Sequence, residues 1–197
     1  MPPPKIIVQI YEVQTPEEAQ QLAGVGVDQI GGVILSENDW RNPQLSRTVK
    51  VARTAGIKSS LIPLFMDQEA IQRVLDFYQP DIVHFCESLV ENLQIAGYCR
   101  TLIETQAMIK QRYPQVALMR SIPIAPPGLT RWVPTLELAA MFEPVSDCFL
   151  TDTLLVDQNG QSHGKQPVDG FVGITGKVCD WELAARLVQT SGIPVIL

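Results

Sequence analysis

Lys5-Ile6-Ile7-Val8-Gln9-Ile10, followed by Thr15-Pro16-Glu17-Glu18-Ala19 and then by Val27 to Leu35, spells a strand, a helix and a second strand. The β-branched run at Lys5 to Ile10 suits extended chain. Thr15 can cap a helix, Pro16 fits its first position, and Glu18 sits where a capping box needs it. Ala19, Leu22 and Ala23 supply an apolar stripe, Gly24 and Gly26 end it, and Val27 to Leu35 returns to strand.

The same grammar recurs along the chain. A helix within Pro43 to Ala55 stops at Gly56, a strand follows at Ile57 to Leu64, and a helix from Asp67 to Tyr78 stops before Pro80. Ile82 to Phe85 is a short apolar strand, Glu91 to Arg112 a long helix, and Val116 to Ile122 a strand before the turn Pro123 to Pro127. Thr135 to Phe142 reads as helix, Cys148 to Thr151 as strand, Trp181 to Gln189 as helix capped by Asp180, and Ile193 to Leu197 as a last strand. Continuously apolar strands joined by helices require a parallel sheet with both faces covered. The class is α/β, and the short, evenly spaced strands favour a (βα)8 barrel of TIM type over an open doubly wound sheet. A single barrel domain over residues 1–197 is expected, with its eighth strand and last helices absent from this chain.

The 197 residues fit one domain at roughly 150 residues each. Hydrophobic residues at 46% supply a core, which excludes whole-chain disorder. Fifteen Lys and Arg against 21 Asp and Glu leave a net charge of −6, and no basic run offers a nucleic-acid footprint. No stretch nears the roughly 18 apolar residues of a membrane span, and Met1 to Lys5 lacks the parts of a signal peptide. The expectation is a cytoplasmic protein without membrane or nucleic-acid partners. Cys86, Cys99, Cys148 and Cys179 are scattered and are expected as free thiols.

In such a barrel the chemistry gathers where the strands end. The candidates there are Tyr11, Glu12, Arg41, His84, Cys86, Arg120 and Asp152. Asp152 is the sharpest, because a carboxyl among apolar strand residues has a raised pKa and can act as a general acid. Gly170-Phe171-Val172-Gly173-Ile174-Thr175-Gly176-Lys177, leading to Asp180-Trp181 and a helix, suits an anion held by backbone amides. It lacks the Ser or Thr of a nucleotide P-loop, since Val178 follows Lys177. No metal is expected at His84, Cys86 and Glu87, because side chains 84 and 86 point opposite to 87 on a strand. His163 reads as a solvated loop residue.

Taken in order, Lys5 to Glu12, Thr15 to Ala19, Gly26 to Gly31, Asp81 to Cys86, Leu150-Thr151-Asp152-Thr153, Gly173 to Trp181 and Pro194-Val195-Ile196-Leu197 resemble the phosphoribosylanthranilate isomerases over almost the whole chain. The resemblance implies a (βα)8 barrel that carries out a cofactor-free Amadori rearrangement of a phosphorylated ribosylamine in tryptophan biosynthesis. It implies Asp152 as the acid that opens the furanose ring and Gly173, Thr175 and Gly176 as part of the phosphate loop. Arg41 lies near the family's arginine for the anthranilate carboxylate, and Arg120 is a further anion-binding candidate. The family's Lys-Ile-Cys-Gly stands here as Gln9-Ile10-Tyr11-Glu12, so the thiolate base is replaced by a phenol, a poor proton acceptor near pKa 10. A relocated base among His84, Glu12 and Cys86 is one expectation. A barrel that binds a phosphorylated small molecule without isomerising it is the other.

Overall fold

A computed structural model describes residues 6–90, 95–162 and 164–197. These residues form seven strands, β1 (Gln9–Ile10), β2 (Gln29–Ile34), β3 (Lys58–Pro63), β4 (Ile82–Phe85), β5 (Ala117–Ile124), β6 (Cys148–Thr153) and β7 (Val195–Ile196). Six α-helices alternate with them: α1 (Pro16–Gly24), α2 (Pro43–Ala55), α3 (Gln68–Tyr78), α4 (Ile95–Arg112), α5 (Thr135–Phe142) and α6 (Trp181–Thr190). His163, and the start expected for α4 at Glu91, lie outside the described residues. The chain divides into two compact units, residues 1–84 and 85–197.

In the first unit β1, β2, β3 and β4 pair in parallel and in chain order. A doubly wound sheet would reverse direction at a switch point, and this one does not. Thr15 closes the expected capping box: its hydroxyl accepts from the Glu18 amide at 3.1 Å, and Glu18 accepts from the Thr15 amide at 3.0 Å. Bonds from the Gln14 and Thr15 amides hold the Glu18 carboxyl below its usual range. Asn42 caps α2 and Gly56, at φ +76°, ends it in the left-handed region. Val13, Ala19, Val27, Ile30, Ala52 and Ile57 bury together beneath α1 and α2.

β1 is shorter than the Lys5 to Ile10 run predicts. Ladder pairing reaches only Gln9 and Ile10, and Ile6 and Ile7 stay exposed. β-Branching favours extension, but a strand exists only where a neighbour takes up its backbone groups.

In the second unit β5, β6 and β7 are again parallel and sequential. β6 runs two residues past its expected end at Thr151, and β5 continues through Pro123 to Ile124, two residues past Ile122. The polar Thr151-Asp152-Thr153 ending interrupts the apolar pattern but not the ladder, which continues as Ile122↔Thr151, Pro123↔Asp152 and Ile124↔Thr153. β7 shortens to Val195–Ile196.

An aspartate just before each even strand β2, β4 and β6 clamps the odd strand preceding it. The Asp28 amide donates to the Val8 carbonyl while its carboxylate accepts from the Val8 amide at 3.0 Å. Asp81 does the same to Ser59, and Asp147 to Leu118. Each clamp satisfies both backbone groups of one residue and sets the register there.

The core of the second unit holds a charge. Arg120 of β5 is 1% exposed and lies between the rings of Phe85 and Phe142, 5.3 and 4.8 Å from their centroids. Its Nε donates to Gln106 Oε1 of α4 at 2.7 Å, and its guanidinium pairs with buried Glu87. A buried pair is costly to break from one side.

Three outcomes follow for stability. Gly32 packs so tightly that a Cβ would sit 2.5 Å from Leu45 Cδ1, so Gly32→Ala should destabilise by about 1–3 kcal/mol. Gly24, at the end of α1 with nothing within 4 Å, should tolerate Ala or gain up to about 1 kcal/mol. Glu87→Gln, which leaves the Arg120 charge unmatched, should cost roughly 3–5 kcal/mol. Urea denaturation of the four proteins checks all three values.

Candidate active site at the strand ends

Asp152 stands near the end of β6, directly opposite Pro123 of β5 and diagonal to Ser121. Side chains on one sheet face meet along such diagonals, and the Ser121 hydroxyl donates to Asp152 Oδ2 at 2.8 Å. The carboxyl keeps an opening to solvent, yet the surrounding protein raises its pKa by desolvation, with the Ser121 bond acting against that shift. A carboxyl biased toward its neutral form is a proton donor.

The segment between β6 and α6 folds back over the ends of β4, β5 and β6. Ser88 donates to the Gly170 carbonyl at 2.9 Å, Phe171 bridges Glu87, and Val172 donates to the Cys86 carbonyl at 2.8 Å. Farther along, Thr153 Oγ1 donates to the Lys177 carbonyl at 2.9 Å, and the Asp180 amide donates to Ala125 at 3.0 Å. Asp180 then caps α6 through the Leu183 amide.

These anchors bring Gly173 against Asp152: a Cβ there would lie 3.3 Å from Oδ1, and the backbone stands at φ +115°. Ile174, at φ +59°, is a β-branched residue in the left-handed region, a strained conformation that the surrounding anchors must hold. Gly176 has φ +60°, and the Lys177 amide donates to Thr175 Oγ1 at 3.3 Å. The turn from Gly173 to Gly176 therefore shares a rim with the carboxyl.

Cys86 is buried beside this site, and burial, followed by the Glu87 and Asp152 charges, pushes its thiol far up. It stays protonated at neutral pH, which corrects its place among the base candidates. Arg120, expected among the anion-binding residues, faces α4 and α5 instead, with its charge committed to Glu87. Strand alternation puts it on the face opposite Ser121.

In the first unit, Tyr11 and Glu12 follow β1, and His84 lies on β4. The Tyr11 ring covers Gly31, where a Cβ would sit 2.7 Å from Cδ1, and its centroid is 5.7 Å from that of the buried His84 ring. Glu12 is exposed, with φ +60°. Arg41 stacks on Trp40 and Phe77, 4.9 and 5.2 Å from the ring centroids, beside the last turn of α3 rather than at a strand end. Tyr78 fastens that corner by donating to the Trp40 carbonyl at 2.7 Å.

Ser121, which touches the site, escapes the sequence reading, and Glu87 was weighed there only as a metal ligand and not as the partner of Arg120. The available signal was a polar residue inside the apolar strand Leu118-Met119-Arg120-Ser121-Ile122. All four cysteines are free. Among the described residues no helix is long and apolar enough to cross a membrane.

No protein-family model matches the chain. N-(5'-phosphoribosyl)anthranilate isomerase 2 of Methanosarcina mazei is 23% identical over 193 residues, covering 96% of this chain and 73% of that protein. The phosphoribosyl anthranilate isomerase structure from Thermotoga maritima superposes with a TM-score of 0.61 at 18% identity, covering 98% of this chain and 77% of that one. A further isomerase structure, in complex with reduced 1-(o-carboxyphenylamino)-1-deoxyribulose 5-phosphate, aligns with a TM-score of 0.53 at 18% identity over 76% of this chain and 66% of that chain. In sequence along nearly its whole length, and in its (βα)-barrel fold, the chain is similar to the phosphoribosylanthranilate isomerases.

Proposed function

We propose that the protein is an aldose-ketose isomerase of the phosphoribosylanthranilate type, acting by acid and base catalysis on a phosphorylated ribosylamine without a cofactor. The observation that carries this reading is the juxtaposition of a partly desolvated Asp152 with the Gly173 to Gly176 turn. A phosphorylated analogue bound to a solved isomerase of similar fold supports the substrate class.

In this reading Asp152 gives its proton to the furanose ring oxygen as the C1–O bond breaks, opening the ring to an iminium. A base then removes the C2 proton, the C2–H electron pair forms a C1=C2 bond while the C1=N π pair moves to nitrogen, and the resulting enol, taking a proton at C1, becomes the ketose. His84 is the best matched base by its ordinary pKa, with Glu12 the remaining alternative. Backbone amides of Gly173, Thr175 and Gly176 hold the phosphate, and Arg41 would serve the carboxylate only by leaving its aromatic stack. The reaction belongs to tryptophan biosynthesis in the cytoplasm.

A second reading has its own support. Tyr11 stands where the resemblance places the family's thiol, and burial holds the Cys86 thiol neutral, so neither position offers a thiolate base. On that reading the barrel keeps a phosphorylated ligand without isomerising it.

Loss of phosphoribosylanthranilate fluorescence decides between them. Turnover by the purified protein should fall by roughly 10²-fold or more in Asp152→Asn, and equality of the two rates would leave only the binding reading. Tyr11→Cys should raise the rate if position 11 faces substrate.

The pH dependence has a definite sign. Folding raises the Asp152 pKa, so kcat/KM should decline as pH rises through the folded-state value. The same group's contribution to stability is full below its unfolded pKa and is lost over that rise. Asp152→Asn should remove this loss, as read from urea midpoints across a pH series.

A further inference from the structure

We infer that Ser121 is a positioning residue for Asp152, aiming the carboxyl so that Oδ1, the oxygen nearer Gly173, carries the proton. The inference rests on Asp152 being the acid of the proposed reaction.

Ser121 is fully buried near the middle of β5, and its hydroxyl donates to Oδ2. A carboxylic acid bonded in this way at one oxygen keeps its proton on the other. Oδ1 is 3.3 Å and Oδ2 3.5 Å from where a Gly173 Cβ would stand, so the glycine leaves this edge of the carboxyl open, with Oδ1 the nearer oxygen. The proton is thereby turned toward the loop, where a phosphorylated substrate would lie.

A free carboxyl would rotate about its last torsion, which has a broad, roughly two-fold profile. The Ser121 bond removes that freedom. Because the bond also favours the ionised form, it keeps desolvation from raising the pKa further. The groups facing the carboxyl are few. The Cys86 thiol beyond β4 is neutral, Glu87 is neutralised by Arg120 on the other face of the sheet, and the loop contributes Gly173, which does not titrate. Ser121 is thus the polar contact through which the environment can tune this acid.

The experiment compares wild type, Ser121→Ala and Ser121→Cys in the full chain, with folding checked by near-ultraviolet circular dichroism. Carbon-13 NMR follows the carboxyl resonance that Asp152→Asn removes. Both Ser121 variants should titrate at higher pH than wild type. In the turnover assay kcat should fall about tenfold, a part of the roughly 10²–10⁴ that a general acid supplies, with KM little changed and the falling limb of the pH profile moved upward. A titration midpoint unchanged from wild type in a folded variant overturns the inference, because a merely structural serine would leave it in place. If Ser121→Ala does not fold, Ser121→Cys, of nearly equal volume and a weaker donor, decides alone. If wild type shows no turnover, the isomerase reading fails, while the NMR midpoint still reports on Ser121.

Discussion

The Asp147 clamp on Leu118 sets what the second unit can do. The Asp147 amide donates to the Leu118 carbonyl and its carboxylate accepts from the Leu118 amide, which places Cys148 opposite Met119, and every later pair follows from that start. Four residues on, Asp152 lies opposite Pro123 and within reach of the Ser121 hydroxyl. A slip by one residue would send Asp152 to the helix-covered face, where Arg120 now lies. Asp28 and Asp81 repeat the device on Val8 and Ser59, so the carboxylates at the starts of the even strands act as register pins, whereas Asp152 near the end of β6 clamps no backbone in this way.

A second constraint holds the loop to that carboxyl. Glu87 is fixed by Arg120, and Arg120 by Gln106 and two aromatic rings. Phe171 bridges Glu87 and Val172 bonds Cys86, which delivers Gly173 to Asp152 two residues later. The buried ion pair is a poor source of net stability once desolvation is counted. Its effect here is geometric, since it fixes the strand end from which the loop is measured.

The same environment separates the fates of neighbouring ionisable groups. Desolvation keeps the Asp152 carboxyl toward its neutral form, useful in an acid, and keeps the Cys86 thiol neutral, useless in a base. In the first unit the Tyr11 ring is accommodated by the missing side chain of Gly31 and lies beside His84.

The amino-acid sequence by itself determined the alternation of strands and helices, the capping of α1 by Thr15, the end of α2 at Gly56 and the candidacy of Asp152, because each depends on neighbours within a few residues. The lengths of β1, β6 and β7 did not follow from it, since a strand lasts as long as a partner accepts its backbone bonds. Nor did the fates of Arg120 and Cys86. A strand-end arginine or thiol reads as a site residue until the packing around it is known, and here Glu87, Phe142 and the surrounding protein decide its charge and access. The bond from Ser121 to Asp152 and the pairing of Glu87 with Arg120 became visible only in three dimensions for the same reason: a hydrogen bond or ion pair spanning some thirty residues has no periodicity to betray it.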